Sequence, residues 1–174
     1  MTHAELIEEA KDIRDKVAAF RAAHFSAGDH LRVGHYILGF LLIVFSAVVS
    51  GSVLQAKDGD PSGTLTLTAG ALAIAVVVLT SVQTTFKLGE RGEQHRSAAV
   101  GFGQLERKLD VFIHRPHPDL AEAWDDLLKI ADEITNVETG APGYLKRTYR
   151  NARRDVMEEL EAARGKARGS APGH

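Results

Sequence analysis

Histidine is the residue type in this chain most able to do chemistry, and two of the eight histidines lie three positions apart. His114 and His117 could share a metal ion, but Pro116 stands between them and no carboxylate is placed to complete a ligand set. We therefore interpret the pair as part of a surface turn and predict no metal site. His30 and His35 could titrate near neutrality. Beside Tyr36, they are better interpreted as polar anchors at one end of an apolar segment.

Other catalytic signals are missing from the sequence. There is no cysteine, which excludes a thiol nucleophile, a disulfide framework and a cysteine-based zinc or iron–sulfur site. No glycine-rich phosphate loop, nucleophile elbow or pair of catalytic carboxylates is present. Gly101-Phe102-Gly103 resembles half of a dinucleotide fingerprint, but no strand precedes it. We therefore predict no catalytic residue, no cofactor and no enzymatic activity.

The charged residues do not indicate nucleic-acid binding. The net charge is −2 at pH 7, and 25% of the residues are charged. One basic cluster stands out, formed by Arg147, Arg150, Arg153 and Arg154. Because the net charge is near zero and no basic stripe with interleaved aromatic residues stands out, we interpret this cluster as a solvated helix face or a lipid-headgroup contact and expect no nucleic-acid partner.

Two segments contain no Asp, Glu, Lys or Arg, namely 35–54 and 65–82. Crossing a bilayer takes about 20 mostly apolar residues in a helix. The stretches 33–54 and 65–82 therefore predict two transmembrane helices joined by the loop 55–64. Two buried core helices would need an equally apolar partner layer, which the rest of the chain does not supply. A signal peptide would begin near Met1, whereas the first span follows a long charged segment.

The two spans can only form an antiparallel hairpin, because the loop between them is short and carries the turn formers Asp58-Gly59 and Pro61. Lys57 is its single basic residue, while several basic residues precede the first span and follow the second. Positive residues stay on the cytoplasmic side. We therefore expect both termini in the cytoplasm and the loop outside. The predicted fold class is an all-α membrane protein, a two-transmembrane-helix hairpin with a cytoplasmic helical bundle, and its first partner is the lipid bilayer.

The predicted organisation has four parts: an amphipathic cytoplasmic helix (1–28), the hairpin (29–85), cytoplasmic helices (86–164) and a disordered tail (165–174). Ser26-Ala27-Gly28 is expected to end the first helix, and Asp29 to cap the first span. After the second span a helix is expected to continue to Phe112, with its glycines as weak points, until the HRPHP segment stops it. Asp119 is expected to cap the next helix. After a turn at 140–143, a charged helix is predicted over 144–164.

Apolar residues recur at spacings of four and three in three of the cytoplasmic segments. These seams either pack together in one bundle or meet other copies of the chain. The candidate oligomer or bundle seam residues are Ile13, Val17, Phe20, Phe102, Leu105, Leu109, Phe112 and Trp124.

Small and hydroxyl residues recur within the spans, where such residues let helices approach closely. They serve packing within the hairpin, or they line a pore if several hairpins assemble, since two helices alone cannot enclose one. The candidate pore-lining or helix-packing residues are Ser46, Ser50, Gly51, Thr66, Gly70, Ala73, Val77, Thr80 and Thr84. No ionisable residue lies near either midplane, which argues against a proton-coupled transporter.

This arrangement resembles the SLATT domain family, the SMODS- and SLOG-associating two-transmembrane effector domain. The resemblance covers about residues 5–155 and rests on the amphipathic leader, the hairpin and the stretch LGERGEQHRSAAVGFGQLERKLD, followed by Trp124 and ADEITNVETGAP. The best matching positions are Glu90, Glu93, His95, Leu105 and Trp124. The family has no catalytic residues to carry over, and no nucleotide-binding domain accompanies the spans here.

The resemblance implies a membrane effector of a prokaryotic anti-phage system. Such an effector would form a homo-oligomer that opens a gated pore or disrupts the inner membrane when a nucleotide-generating or nucleotide-sensing partner protein signals infection. Two alternatives stay open. The chain could be a membrane-anchored scaffold that presents its cytoplasmic bundle to a partner protein, or a housekeeping ion channel.

Overall fold

The computed structural model describes residues 2–56, 64–143 and 146–169. Within these ranges the chain forms α1 (His3–Ala56), α2 (Thr64–Phe86), α3 (Leu88–His114), α4 (Leu120–Gly140) and α5 (Lys146–Gly169). The described residues contain no strand, which confirms the all-α class. The chain divides into a bundle unit, Met1–Asp29 with Glu93–His174, and a hairpin unit, His30–Gly92.

The predicted break at Ser26-Ala27-Gly28 is wrong, because α1 runs without interruption from His3 to Ala56. Asp29 therefore does not cap a new helix. A single glycine costs a helix only about 1 kcal/mol relative to alanine, and no proline accompanies Gly28 to remove a hydrogen bond. Gly28 is also buried, so its helical turn is held in place by packing.

The helix after the second span is interrupted once, at Lys87 and not at a glycine. Lys87 has φ 46, in the left-handed region that non-glycine residues rarely adopt. The Lys87 N–H donates to the Gln83 carbonyl (3.1 Å), and the Lys87 carbonyl accepts from the Arg91 N–H (3.0 Å). Backbone hydrogen bonding therefore crosses the break between α2 and α3.

Local chemistry sets the remaining helix ends. α3 ends at His114, directly before the two prolines of HRPHP. The predicted cap at Asp119 is confirmed, since its carboxylate accepts from the Ala121 N–H at 2.8 Å. The predicted disordered tail is wrong at its start, because α5 reaches Gly169. Lys, Ala and Arg separate the glycines there and favour helix.

Some expectations concern residues that the structure leaves undescribed. The turn formers of the loop lie in 57–63, the predicted first residues of the last helix are 144–145, and the tail beyond the helix is 170–174. These expectations therefore stay predictions.

Phe102 is at the centre of the core of the bundle unit and is fully buried. Its ring stacks on Phe20 and on His24, with 5.5 Å between ring centroids in each case. Tyr149 of α5 stacks on the other side of Phe20 at 5.1 Å. The buried residues that form the hydrophobic cluster are Leu6, Ala10, Val17, Ala98, Phe102, Leu105, Leu109, Phe112, Ala123 and Leu127. One apolar side of α1, α3 and α4 is thus covered within a single chain.

The glycines on either side of Phe102 allow close helix packing. A Cβ atom at Gly101 would lie 3.3 Å from Val137 of α4, and one at Gly103 would lie 3.4 Å from the Arg21 side chain of α1. The Gly-Phe-Gly sequence therefore lets α3 approach both neighbours, and it lies inside a helix and not in a turn between a strand and a helix.

In the hairpin unit, α1 and α2 run antiparallel, since they are joined near Ala56 and Thr64 while His35 meets Gln83 near the other end. The side chains buried or half-buried along their facing sides are Leu38, Leu42, Phe45, Val49 and Ser52 of α1, and Ala69, Leu72, Val76, Leu79 and Gln83 of α2. Many other apolar side chains are exposed, among them Phe40, Ile43, Leu67 and Ile74. In the most apolar 18-residue window of each helix, 0% of α1 and 6% of α2 is buried. Both helices are long and apolar enough to cross a membrane.

The packing of Phe102 predicts its contribution to stability. Replacing Phe102 by alanine leaves a cavity between α1 and α3, and we expect the free energy of unfolding to fall by about 3–5 kcal/mol. Val100→Ala, on the exposed side of the same helix, is the matched control and should change it by about 0.5 kcal/mol or less. Denaturant unfolding of both variants checks this. Equal losses in the two would contradict the described core.

Candidate functional site

The nine span residues singled out in the sequence all lie on the exposed surface of the hairpin unit. None of them is on the side where α1 and α2 face each other. Their small size therefore does not serve packing within the hairpin of one chain. That contact is made mainly by larger apolar residues such as Phe45, Leu72 and Leu79.

The candidates on α2 form one continuous line. Thr66, Gly70, Ala73, Val77, Thr80 and Thr84 follow each other at spacings of four and three. At about 100° of rotation per residue, this line lies about 100° around the helix from the side that faces α1. The side of α2 opposite α1, about 100° beyond the line, carries the larger side chains of Leu67, Ile74 and Val78, which are exposed.

Ser46 and Ser50 are one turn apart on α1, and they lie about 100° from the side of α1 that faces α2. Seen from its own N-terminus, each helix places its line in the same rotational sense from the contact. Because the helices are antiparallel, both lines therefore fall on one side of the hairpin. We call this surface the hydroxyl flank: Ser46, Ser50, Thr66, Gly70, Ala73, Val77, Thr80 and Thr84. Gly51 is outside it, about 100° beyond Ser50.

Several hydroxyl groups of the hairpin donate to the carbonyl oxygen one helical turn earlier. Ser50 donates to Ser46 at 2.9 Å, and Thr80 and Thr84 donate to Val76 and Thr80 at 2.8 Å each. Ser52, Thr68 and Ser81 do the same outside the hydroxyl flank. The protons of these hydroxyls are thus bound within their own helix, while the oxygen atoms can still accept a hydrogen bond.

One end of the hairpin unit carries polar and aromatic contacts. The Gln83 amide nitrogen lies 3.2 Å from His35 Nδ1, which joins α2 to α1. The His35 ring lies 5.9 Å from the Tyr36 ring, and the Arg32 guanidinium lies 5.6 Å from the centre of the same tyrosine ring. The anchoring role predicted for His30 and His35 beside Tyr36 stays a prediction.

The predicted seam residues divide into two groups. The bundle unit buries Val17, Phe102, Leu105, Leu109 and Phe112, and it half-buries Ile13 and Phe20 against them. Trp124 is different, because this residue is 36% exposed, whereas the preceding Ala123 is buried. Of the two uses considered for the seams, packing within one chain accounts for seven residues, and Trp124 is left on the surface.

A buried histidine pair joins α1 to α3 in the bundle unit. His24 and His95 are 1% and 5% exposed, and their Nδ1 atoms lie 3.0 Å apart. One Nδ1 must carry a proton and donate while the other accepts, so the contact requires at least one neutral ring. The periodicity of α1 placed His24 on the apolar side, but no sequence signal paired it with His95.

The environment of the pair favours neutral imidazoles. Burial, and secondly the charge of the neighbouring His95, lowers the pKa of His24 from 6.5 to about 4. Burial also lowers the pKa of His95. Both rings are therefore uncharged at pH 7, which meets the need for at least one neutral ring in the short contact between their Nδ1 atoms.

Ion pairs lie beside this core. Arg21 Nη1 approaches Glu106 Oε2 to 2.7 Å, although the two are not aligned as a hydrogen bond. Burial raises the pKa of Glu106, and the charge of Arg21 opposes that rise. Arg14 contacts Asp15 at 2.8 Å and Asp110 at 3.3 Å. The Arg21–Glu106 and Arg14–Asp110 pairs join α1 to α3 beside the apolar seam, whereas Arg14 and Asp15 are neighbours on α1.

The structure supplies no metal site among the described residues, where no group of three or more His, Cys, Asp or Glu side chains converges. His114 Nδ1 bonds to the Asp110 carbonyl and His117 Nε2 to the Phe112 carbonyl, each at 2.7 Å. Both rings thus complete the end of α3, where helical carbonyls lack N–H partners.

Comparison of the chain with protein-family models, with curated proteins and with solved structures gave no match. The resemblance to the SLATT family therefore stays a prediction from the sequence, and function has to be argued from the geometry above.

The histidine pair predicts that acid destabilises the bundle. Below pH 6.5 the unfolded chain takes up a proton at His24 that the folded chain refuses until about pH 4, so stability is complete above 6.5 and falls as the pH drops towards 4. The difference amounts to on the order of 3 kcal/mol. We expect His24→Asn, which cannot titrate, to lose correspondingly less stability between about pH 7 and about pH 4.

Thermal unfolding followed by circular dichroism across this pH range measures the effect. His3→Asn, at an exposed position of the same helix, is the control and should follow the unsubstituted protein. If His24→Asn and His3→Asn gave the same pH dependence, the buried pair would not be the acid-sensitive element.

Proposed function

We propose that this chain is an integral membrane protein that self-associates through its hairpins and permeabilises the bilayer when its bundle receives a signal. The proposal is carried by two helices that are long and apolar enough to span a bilayer. In the most apolar 18-residue window of each, only 0% of α1 and 6% of α2 is buried. The wider role, an effector of prokaryotic anti-phage defence in the inner membrane, is predicted from the resemblance alone.

The exposed apolar surface supports the membrane assignment. Side chains such as Phe40 (65% exposed) and Leu67 (75% exposed) would face water in a soluble monomer. Water penalises apolar surface by about 25 cal/mol per Å², whereas hydrocarbon does not. The helices also satisfy their own backbone groups, as spanning segments must, and several hydroxyl protons are satisfied in the same way.

The hydroxyl flank supports self-association. It places small residues on one side of both helices, and small residues let helices from different chains approach closely in lipid. The hydroxyl oxygens on that side can accept hydrogen bonds from water or from another hairpin. A ring of hairpins with this side inward would have a lumen lined by Ser and Thr, with Val77 as an apolar constriction.

The bundle unit supports a receiving role for a partner signal. Its core is complete within one chain, so it needs no other copy to fold around Phe102. A nucleotide-generating or nucleotide-sensing protein is the partner that the resemblance implies.

The same observation favours a second candidate function, a membrane-anchored scaffold. A bundle that closes on itself can be displayed to a partner protein while the spans act only as an anchor. Replacing both spans by unrelated apolar spans should preserve the activity of a scaffold and abolish that of a pore.

The basic residues predict the orientation of the hairpin. This orientation can be measured directly, because the chain has no cysteine of its own that would react with the label. We expect Asp58→Cys in the loop to react with a membrane-impermeant maleimide on intact cells. We expect His3→Cys to react only after permeabilisation, since the positive-inside rule keeps the N-terminus in the cytoplasm. Labelling of His3→Cys on intact cells would contradict the orientation.

The hydroxyl flank can be tested with a matched pair of alanines on α2. Ala73 lies on the flank, and Ala71 is exposed about 160° away from it. Ala73→Leu should obstruct close approach, lower the mass of the detergent-solubilised assembly and abolish dye leakage from liposomes. Ala71→Leu adds the same apolar volume towards lipid and should change neither.

The unsubstituted protein sets the reference for both variants. A discrete assembly of about four chains or more can enclose a lumen. Vesicles that stay tight with the unsubstituted protein under every trigger, or leakage that Ala73→Leu leaves intact, would count against the pore. A monomer or dimer that stays active would favour the scaffold.

A further inference from the structure

The bundle unit carries a surface groove between α3 and α4 with a volume of about 470 Å³. Its lining residues are Gln104, Arg107, Lys108, Val111, Phe112, Arg115, Asp126, Lys129, Ile130 and Glu133. We call the exposed part contributed by Arg107, Val111 and Arg115 the basic groove. Arg107 and Val111 are four residues apart on α3, and Arg115 follows four residues later, directly after the helix ends. The Arg115 N–H still donates to the Val111 carbonyl at 3.0 Å, and Val111, in the middle, is 68% exposed.

The basic groove has an excess of positive charge. Both carboxylates of the lining are matched by lysines, Glu133 by Lys108 at 2.5 Å and Asp126 by Lys129 at 2.9 Å. Within the part of the chain that the structure describes, Arg107 and Arg115 form no salt bridge. Two guanidinium groups thus lie on either side of an exposed valine, about 12 Å apart along the helix.

A complementary surface lies on α4. Asp125, Leu128 and Asp132 share one exposed side, with Trp124 beside them, and we call these four residues the acidic ridge. Leu128 is 47% exposed and lies between the two carboxylates, which are about 10.5 Å apart along the helix. Neither Asp125 nor Asp132 forms a salt bridge among the described residues.

The two surfaces match in order and spacing. An acid–leucine–acid arrangement faces a base–valine–base arrangement of nearly equal length, so apolar contact and two ion pairs can form together. The acidic ridge cannot enter the groove of its own chain. The α4 residues that line the groove lie, on average, more than 120° around the helix from the acidic ridge. An acidic ridge that occupies the groove must therefore come from another copy of the chain.

We infer that the acidic ridge of one copy docks into the basic groove of a second copy. Because two different patches meet, the contact is head-to-tail, and its repetition generates a ring or a filament. This inference deepens the proposed function and rests on it, in that it supplies a second contact for the same assembly outside the hairpin.

Charge reversal tests the contact in the purified whole protein in detergent. One variant carries Arg107→Glu with Arg115→Glu, and the other carries Asp125→Lys with Asp132→Lys. Each alone opposes like charges across the contact, and we expect its dissociation constant to rise at least tenfold. Mixed one to one, the acidic groove of the first meets the basic ridge of the second, and the reverse pair also matches, so the assembly should return.

Two controls change the charge equally at exposed positions elsewhere. Arg147→Glu with Arg150→Glu matches the groove variant, and Glu158→Lys with Glu159→Lys matches the ridge variant. Both should keep the mass of the unsubstituted protein. Recovery in the mixture also shows that each reversed variant is folded.

Loss of assembly in each variant and its recovery in the mixture would support the inference. Unchanged mass in either variant, or no recovery on mixing, would overturn it. If a groove variant lost activity while keeping its mass, the groove would serve another occupant, and the inference would again be wrong. None of these outcomes touches the hydroxyl flank, because the Ala73→Leu and Ala71→Leu pair tests that surface separately.

Discussion

The exposed apolar surface of the hairpin unit is the constraint on which the other features depend. Its two windows bury almost nothing within the chain, so an apolar medium or another copy has to cover them. That requirement explains why the spans lack charge and why their hydroxyl protons return to the backbone. It also accounts for the uneven distribution of side chains on α2, where one side carries large apolar residues and the hydroxyl flank carries small ones.

In the bundle unit, by contrast, the apolar residues of the core are covered by the chain itself. Phe102, with Phe20 and His24 stacked against it, closes an apolar core inside one chain, and ion pairs such as Arg21–Glu106 lie at its border. Since the core is satisfied internally, surfaces left over on α3 and α4 are free to differ in charge. The residues that form the bundle core are thus separate from those of the contact inferred between copies.

The sequence predicted those features that depend on neighbouring residues. Helix ends depend on residues within one turn. The prolines after His114 therefore predicted the end of α3, and the carboxylate of Asp119 predicted the start of α4. Gly28 was misleading, because its cost to a helix is small and tertiary packing around it is decisive. Periodicity identified the apolar side of α1 but not its partners. The contact between His24 and His95 joins residues 71 positions apart, and only the fold brings them together.

The hydrogen bonds from Ser50, Thr80 and Thr84 to their own helices bear on biogenesis. A polar side chain with an unbound proton would resist transfer from the translocon into lipid until another chain met it. In the proposed membrane protein, each newly made hairpin could therefore enter the bilayer singly, before it meets another copy. Insertion and assembly are then separate events in time. A cell could hold such a protein in its membrane as dispersed, inactive copies until a signal brings them together.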